Sequence, residues 1–190
     1  PDRLQSMIVA SARDVDAACR NVFADAKGDL LGIGSLIVAD AADQKALDAL
    51  AGQTAVVLST AGPFALYGSA LVAACVAHRT HYVDITGETP WVRGLIDRHH
   101  AQAARDGTRI IPCCGFDSVP SDLGAWLVAE AVRRQHGDQC VSVKACHSMR
   151  GGLNGGTLAS ALNIMETGQD RLLGDPFLLT YLRSSAEPLQ

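Results

Sequence analysis

The chain has 190 residues, which is enough for one domain, or for one domain with part of another. Hydrophobic residues make up 48% of it, so its composition excludes an intrinsically disordered protein. The net charge is -4 and the basic residues are scattered, which argues against binding of nucleic acid or an anionic membrane. Apolar runs fall short of the roughly 18 residues that a transmembrane segment needs. The first residues lack the order of a secretory signal, and we therefore expect a cytoplasmic protein.

The cysteines do not form a recognisable framework. None belongs to a C-x-x-C pair, and the adjacent Cys113 and Cys114 are poorly placed for a disulfide or a shared metal. The six positions are Cys19, Cys75, Cys113, Cys114, Cys140 and Cys146. We predict reduced, mostly buried thiols and no metal site.

Strands and helices alternate along the first part of the chain. Strands are predicted at residues 34–40, 54–60, 81–86 and 108–114. Helices are predicted at residues 42–51, 67–78, 90–105 and 120–135. The run "TAVVLST" at 54–60 is nearly continuous in apolar residues, which is typical of a strand buried on both faces. Alternation of this kind predicts an α/β fold with a parallel sheet.

The pattern changes after His136. Residues 140–149, "CVSVKACHSM", alternate between apolar and polar and predict a longer strand, and a helix is predicted at 157–168. The tail has no clear period. We therefore predict a domain boundary near residue 138, with a first domain at 1–138 and the beginning of an α+β domain at 139–190.

Three consecutive predicted strands end in glycine-containing turns. These are "TAGPFALYG" at 60–68, "DITGE" at 84–88 and "CCGFDS" at 113–118. Ligands of open parallel sheets bind outside the carboxyl ends of the strands, and glycine allows the backbone to approach them closely. The N-terminus of each following helix can also offer N–H groups to an anion. The three turns predict a binding crevice along one edge of the sheet.

Three other segments resemble known binding or catalytic motifs but do not match them. "GIGSLI" at 32–37 lacks the third glycine of a dinucleotide fingerprint and precedes a strand instead of following one. "GGLNGGT" at 151–157 has Thr157 where a phosphate-binding Walker loop needs lysine, so it is either a flexible turn or another ligand contact. The residues around Ser69 do not match the G-x-S-x-G elbow of a hydrolase.

Four motifs occur in order along the chain: "GPFALYG", "YVDITGE", "GFDSVPSDLGA" and "GGLNGGTLAS". Together they resemble the saccharopine dehydrogenase-like oxidoreductases, in the branch of the mycobacterial trans-acting enoyl reductases. The resemblance implies a Rossmann domain that binds NADP or NAD. It also implies a following α+β domain that completes the substrate pocket and a homodimer.

The resemblance also implies roles for individual residues. The residues that would flank the cofactor, or line its nicotinamide side, are Gly62, Pro63, Phe64, Thr86, Gly87, Cys114, Gly115 and Phe116. Asp117, Ser118 and Tyr67 would face the reacting centre. Asp117 or Tyr67 would be the proton donor, and Ser118 would contact the substrate.

The chain departs from the family pattern at its start. In the family a glycine fingerprint strand and a second strand precede a "PDRL"-like helix start, which is residue 1 here. We therefore expect a Rossmann-type parallel sheet that lacks its first two strands, in a chain truncated at both ends. The strand at 34–40 would then be separated from the strand at 54–60.

Three functions fit these observations. The first is NAD(P)H-dependent reduction of a carbon–carbon double bond in an acyl chain, free or held on a polyketide-type carrier. The second is saccharopine-type chemistry at a carbon–nitrogen bond, but the crevice motifs contain no lysine or arginine to hold amino-acid carboxylates. The third is a truncated, non-catalytic remnant.

Overall fold

The computed structural model describes residues 7–9, 35–37, 39–148, 152 and 155–180. The strands are β1 Met7–Val9, β2 Ser35–Ile37, β3 Val56–Ser59, β4 His81–Asp84 and β5 Ile110–Ile111. The helices are α1 Gln44–Gln53, α2 Phe64–His78, α3 Thr89–Asp106, α4 Val119–His136 and α5 Gly155–Glu166, followed by a 3₁₀ helix Gln169–Gly174. The predicted helices at 42–51, 67–78, 90–105, 120–135 and 157–168 correspond to α1–α5, with ends shifted by no more than three residues.

The central sheet is parallel, with strand order β3-β4-β5. Val56 is paired with His81, and Tyr82 is paired with Ile110. Helices α2 and α3 make the two crossovers between these strands, as parallel connections require. The predicted α/β class is confirmed. Because all three strands run in the same direction, the turns that follow them meet at one edge of the sheet.

The strand β2 belongs to a second, two-stranded sheet. It pairs in parallel with β1, from Met7 opposite Ser35 to Val9 opposite Ile37. The predicted separation of the 34–40 strand from the 54–60 strand is therefore confirmed. The strand β1 was not predicted from the sequence, because three apolar residues are too few to show a strand period.

The core lies between the central sheet and helices α1–α3. Tyr82 on β4 is fully buried, and so is Val72 on α2. Trp91 and Leu95 on α3 pack into the same cluster. Burial of a large apolar side chain contributes roughly 1.5–3 kcal/mol to folding, so this cluster holds the helices against one face of the sheet.

Local signals in the sequence account for several helix ends. The Asp43 side chain accepts hydrogen bonds from the N–H groups of Lys45 and Ala46 at 3.0 and 3.2 Å and caps the start of α1. Helices α3 and α4 end at Gly107 and Gly137, whose φ angles of 71° and 73° lie in the left-handed region that glycine adopts most readily. These caps explain why the predicted ends were close to the observed ones.

The prediction that the strand at 54–60 is buried on both faces is wrong. Val57 and Ser59 are buried, whereas Val56 and Leu58 are 52% and 68% exposed. Helices α1–α3 cover one face of β3. In the part of the chain that the structure describes, the other face is open.

The strand predicted at 140–149 is also wrong over its described residues. Residues 140–148 form no regular secondary structure and are almost all exposed. A strand needs a neighbour for its backbone hydrogen bonds, and no described strand pairs with this segment. The domain boundary near residue 138 stays a prediction. No described helix has the length and apolar character needed to cross a membrane.

Candidate functional site

A crevice of about 380 Å³ opens at the carboxyl edge of the central sheet. The turns after β3, β4 and β5 all contribute to its wall, and α5 closes it from the side. The lining residues are Thr60, Gly62, Phe64, Ile85, Gly87, Glu88, Asp117, Gly156, Thr157, Ser160 and Ala161. The fold therefore brings together the three glycine turns and the start of α5, which begins at Gly155 within "GGLNGGT".

The turn after β3 forms one wall of the crevice. Gly62 and Phe64 line it, and Pro63 between them precedes α2 with a cis peptide bond. The Phe64 ring is buried and lies 5.9 Å from the Trp91 ring, centroid to centroid. The wall is thus supported from behind by the core.

The turn after β4 is held by its own hydrogen bonds. The Thr86 N–H donates to Asp84 Oδ1 and the Glu88 N–H donates to Thr86 Oγ1, both at 3.0 Å. Gly87 faces the crevice between them, and a Cβ on Gly87 would lie 3.7 Å from Asp117 Oδ2. Glycine therefore keeps the space beside the Asp117 carboxylate open.

The turn after β5 is tied to the same aspartate. The Cys113 N–H donates to Asp84 Oδ1 at 3.1 Å, and the Cys114 N–H donates to the Asp84 carbonyl at 2.7 Å. Cys113 has a φ of 61°, an uncommon conformation for a residue with a side chain. Gly115 is buried, and a Cβ there would collide with Asp117 Oδ1. A larger residue here would therefore force the Asp117 side chain to move.

The predicted site residues fall into three groups. Gly62, Phe64, Gly87 and Asp117 line the crevice. Pro63, Thr86, Gly115 and Ser118 lie in or next to the turns that form it. Tyr67, Cys114 and Phe116 are exposed and are not among the lining residues. The functional roles of all these residues remain predictions.

Asp84 lies beneath the crevice and was not predicted as a site residue. It is fully buried, its Oδ1 accepts from two turns, and its Oδ2 makes no hydrogen bond that meets normal geometry. Burial raises the pKa of the Asp84 carboxyl, although the Thr86 and Cys113 amides oppose that shift. Burial also raises the pKa of the neighbouring Tyr82 hydroxyl, and the Asp84 charge adds to that shift. Asp84 joins the turns after β4 and β5.

Glu88 is the second residue that the sequence analysis missed. Its carboxylate is buried and accepts hydrogen bonds from the N–H groups of Phe64 at 2.8 Å and Ala65 at 2.9 Å. The expectation that the start of α2 offers free N–H groups to an anion is therefore wrong, because Glu88 occupies that end. Two signals could have revealed it. "DITGE" ends in an acid, and Pro63 has no side chain able to cap α2.

The saccharopine dehydrogenase NADP binding domain family matches residues 7–111. The chain belongs to this family. The resemblance inferred from the four motifs is thereby confirmed, and so is the cofactor class, NADP or NAD, to which the family is adapted.

Curated relatives extend the similarity beyond the family match. The trans-acting enoyl reductase of Mycobacterium leprae (strain TN) is 44% identical over 160 residues, and that of Mycobacterium tuberculosis (strain H37Rv) is 42% identical over 160 residues. Each alignment covers 80% of this chain and 38% of the relative. The chain therefore spans about two fifths of the length of the curated relatives it matches.

Among solved structures, the chain aligns with apo histidine-tagged saccharopine dehydrogenase (L-Glu forming) from Saccharomyces cerevisiae. The TM-score is 0.45 at 22% sequence identity, over 53% of this chain and 21% of that chain.

The crevice of this NADP-binding domain suits one end of the cofactor. Its described lining contains two acids, Glu88 and Asp117, and no lysine or arginine, which disfavours a pyrophosphate. An uncharged or cationic nicotinamide ring meets no such repulsion, and Gly62 and Gly87 leave room for it beside the backbone. The described residues therefore fit the nicotinamide end of NADP.

A second cavity, of about 320 Å³, lies between α3 and β5. Its walls are mostly apolar, and its polar side chains include His99, Arg109 and Thr108. Burial lowers the pKa of His99, and the neighbouring Arg98 adds to that shift. None of the three glycine turns lines this cavity, so the crevice is the better candidate for cofactor chemistry.

Proposed function

We propose that this chain belongs to an NAD(P)H-dependent reductase that saturates a carbon–carbon double bond of an acyl chain. One observation carries the proposal: the three glycine turns of an NADP-binding domain converge on a single crevice. The names of the relatives that are 42–44% identical support an enoyl substrate. The domain after residue 138 would complete the substrate pocket and the dimer.

The crevice residues would divide the work of orientation and proton supply. Gly62, Phe64 and Gly87 would hold the nicotinamide ring, and the bound cofactor would supply the hydride. The protein would then deliver a proton to the other carbon of the double bond. Asp117 is the preferred donor because it lines the crevice, whereas Tyr67 on α2 does not. Ser118, next to Asp117, would contact the substrate.

The chemistry of the wall favours an acyl substrate. Phe64, Ile85 and Ala161 supply apolar surface, and the described lining holds no cation that would bind amino-acid carboxylates. A saccharopine-type substrate needs such cations. We therefore place an unsaturated acyl thioester, free or carrier-bound, ahead of reactions at a carbon–nitrogen bond.

Cofactor binding can be tested through tryptophan fluorescence. Trp91 packs behind Phe64, whereas Trp126 lies exposed on α4 and would add background signal. We expect NADPH to quench Trp91 saturably in a Trp126→Phe variant. A change that does not saturate, or no change, would contradict the proposal and favour the non-catalytic alternative.

Proton donation can be tested with Asp117→Asn. We expect this change to lower the rate of enoyl thioester reduction by about 100-fold or more while NADPH titration stays the same. Asp122→Asn is the matched control, since Asp122 is exposed on α4 and does not line the crevice. Equal rates in both variants would remove Asp117 from the role.

A further inference from the structure

Glu88 connects three elements around the crevice. It precedes α3, its carboxylate caps α2, and its Oε1 also accepts a hydrogen bond from Ser160 Oγ on α5 at 2.7 Å. The side chain is only 2% exposed. A buried carboxylate needs several donors, and here all the donors come from elements that line the crevice.

The hydrogen bonds to α2 give Glu88 a fixed orientation. Pro63 offers no side-chain cap, so the first N–H groups of α2 depend on the Glu88 carboxylate. A negative charge at this end of a helix is also stabilised by the helix dipole. Oε1 is therefore presented to α5 from a rigid position.

Helix α5 has little buried surface of its own. Ile164 is its single buried residue, although Gly156, Thr157, Ser160 and Ala161 all face the crevice. A hydrogen bond to a charged group is stronger than one between neutral groups, which matters for a helix with so little buried surface. The bond between Ser160 and Glu88 is thus one of the interactions that hold this wall.

We infer that Glu88 is a positioning residue that couples α5 to the turn Gly62–Phe64 through its shared carboxylate. The α5 wall and the cofactor-side turn then keep a constant separation, and a ligand in the crevice acts on both. The catalytic meaning of this coupling rests on the proposed reductase function. The coupling itself is a property of the fold.

Amide hydrogen exchange of the 190-residue chain tests the coupling. We expect Ser160→Ala to speed exchange in α5 by about tenfold or more, with exchange in α2 unchanged. Thr167→Ala is the matched control, because Thr167 bonds only to carbonyls of α5 itself, at Asn163 and Ile164. Equal exchange of α5 in the Ser160 and Thr167 variants would overturn the inference.

Glu88→Gln provides a second variant. An amide keeps one acceptor oxygen and replaces the other with a donor, which cannot accept from the α2 backbone. We therefore expect faster exchange in both α2 and α5. Faster exchange in α2 alone would separate the cap from α5 and contradict the coupling.

Cofactor binding distinguishes this inference from the proposed function. If NADPH binds, it should slow exchange in α2 and α5 of the unaltered chain, but mainly in α2 of Ser160→Ala. Protection of α5 to the same extent in both proteins would contradict the coupling. If NADPH does not bind the unaltered chain, the reductase proposal fails, and the exchange rates without ligand still decide the role of Glu88.

Discussion

Helices α2 and α4 begin in the same way, but they differ in how far their side chains are buried. Each follows a glycine turn at the end of a strand of the central sheet, and each is rich in apolar residues. The buried residues of α2 are Phe64, Gly68, Val72, Ala74, Cys75 and Val76. Helix α4 has none, and its exposed apolar residues include Leu123, Trp126, Leu127 and Val128.

The difference shows that apolar content does not decide burial. Helix α2 connects two neighbouring parallel strands, so the connection itself lays it on the sheet between α1 and α3. Helix α4 follows β5, the last strand of the sheet, and no described strand returns to hold it. A helix is packed by its connections as well as by its composition.

The two tryptophans offer the largest test of this comparison. Trp91 is 7% exposed in the core, whereas Trp126 is 59% exposed on α4. We expect Trp91→Ala to lower the free energy of unfolding by about 3–5 kcal/mol, and Trp126→Ala to change it by less than ~0.5 kcal/mol. Urea denaturation measures both. Equal losses would show that α4 packs in solution as the core helices α2 and α3 do.

Two glycines, one in α2 and one in α4, should give smaller changes in stability, and the two changes should have opposite signs. A Cβ on Gly68 of α2 would lie 2.7 Å from the Trp91 ring, whereas a Cβ on Gly124 of α4 would meet nothing within 4 Å. Gly68→Ala should therefore cost about 1–3 kcal/mol through overpacking. Gly124→Ala should add up to ~1 kcal/mol through helix propensity. Thermal unfolding midpoints that shift in the same direction would contradict the comparison.

The buried carboxylate of Asp84 adds a pH dependence to the packed region. Its pKa is raised by burial, so the fold favours the neutral carboxyl, and the stability that this form contributes is lost as pH rises through the folded pKa. Asn keeps the Oδ1 acceptor for Thr86 and Cys113 and stays neutral. Asp84→Asn should thus gain about 1 kcal/mol at pH 8 relative to the parent protein.

Urea denaturation from about pH 4, near the unfolded pKa of an aspartate, up to pH 8 checks this expectation. The difference between the Asp84→Asn variant and the parent protein should grow with pH. The control Asp122→Asn removes an exposed carboxylate on α4, and it separates the effect of burial from that of losing a charge. A difference that does not change with pH for Asp84→Asn would mean that the burial of Asp84 does not govern its ionisation.

Much of the fold was predictable because its signals are local. The apolar runs indicated β2–β5, and the glycine turns indicated a crevice at the carboxyl edge. The wrong predictions concern which strands pair and which faces of the sheet are covered. The exposed face of β3 and the irregular segment 140–148 depend on which neighbours are present, and a run of residues does not encode that.

The crevice likewise combines features that the sequence determines with features that only the tertiary structure determines. The sequence by itself determined the order of strands and helices, the turns that need glycine and the residue types available at the sheet edge, since these depend on neighbours within a few positions. Only the tertiary structure decided that Glu88 caps a helix beginning 24 residues earlier and holds Ser160, 72 residues later. A buried carboxylate is stable only where the packed chain places hydrogen-bond donors around it. That choice depends on contacts between distant segments, which form only when the sheet and helices assemble.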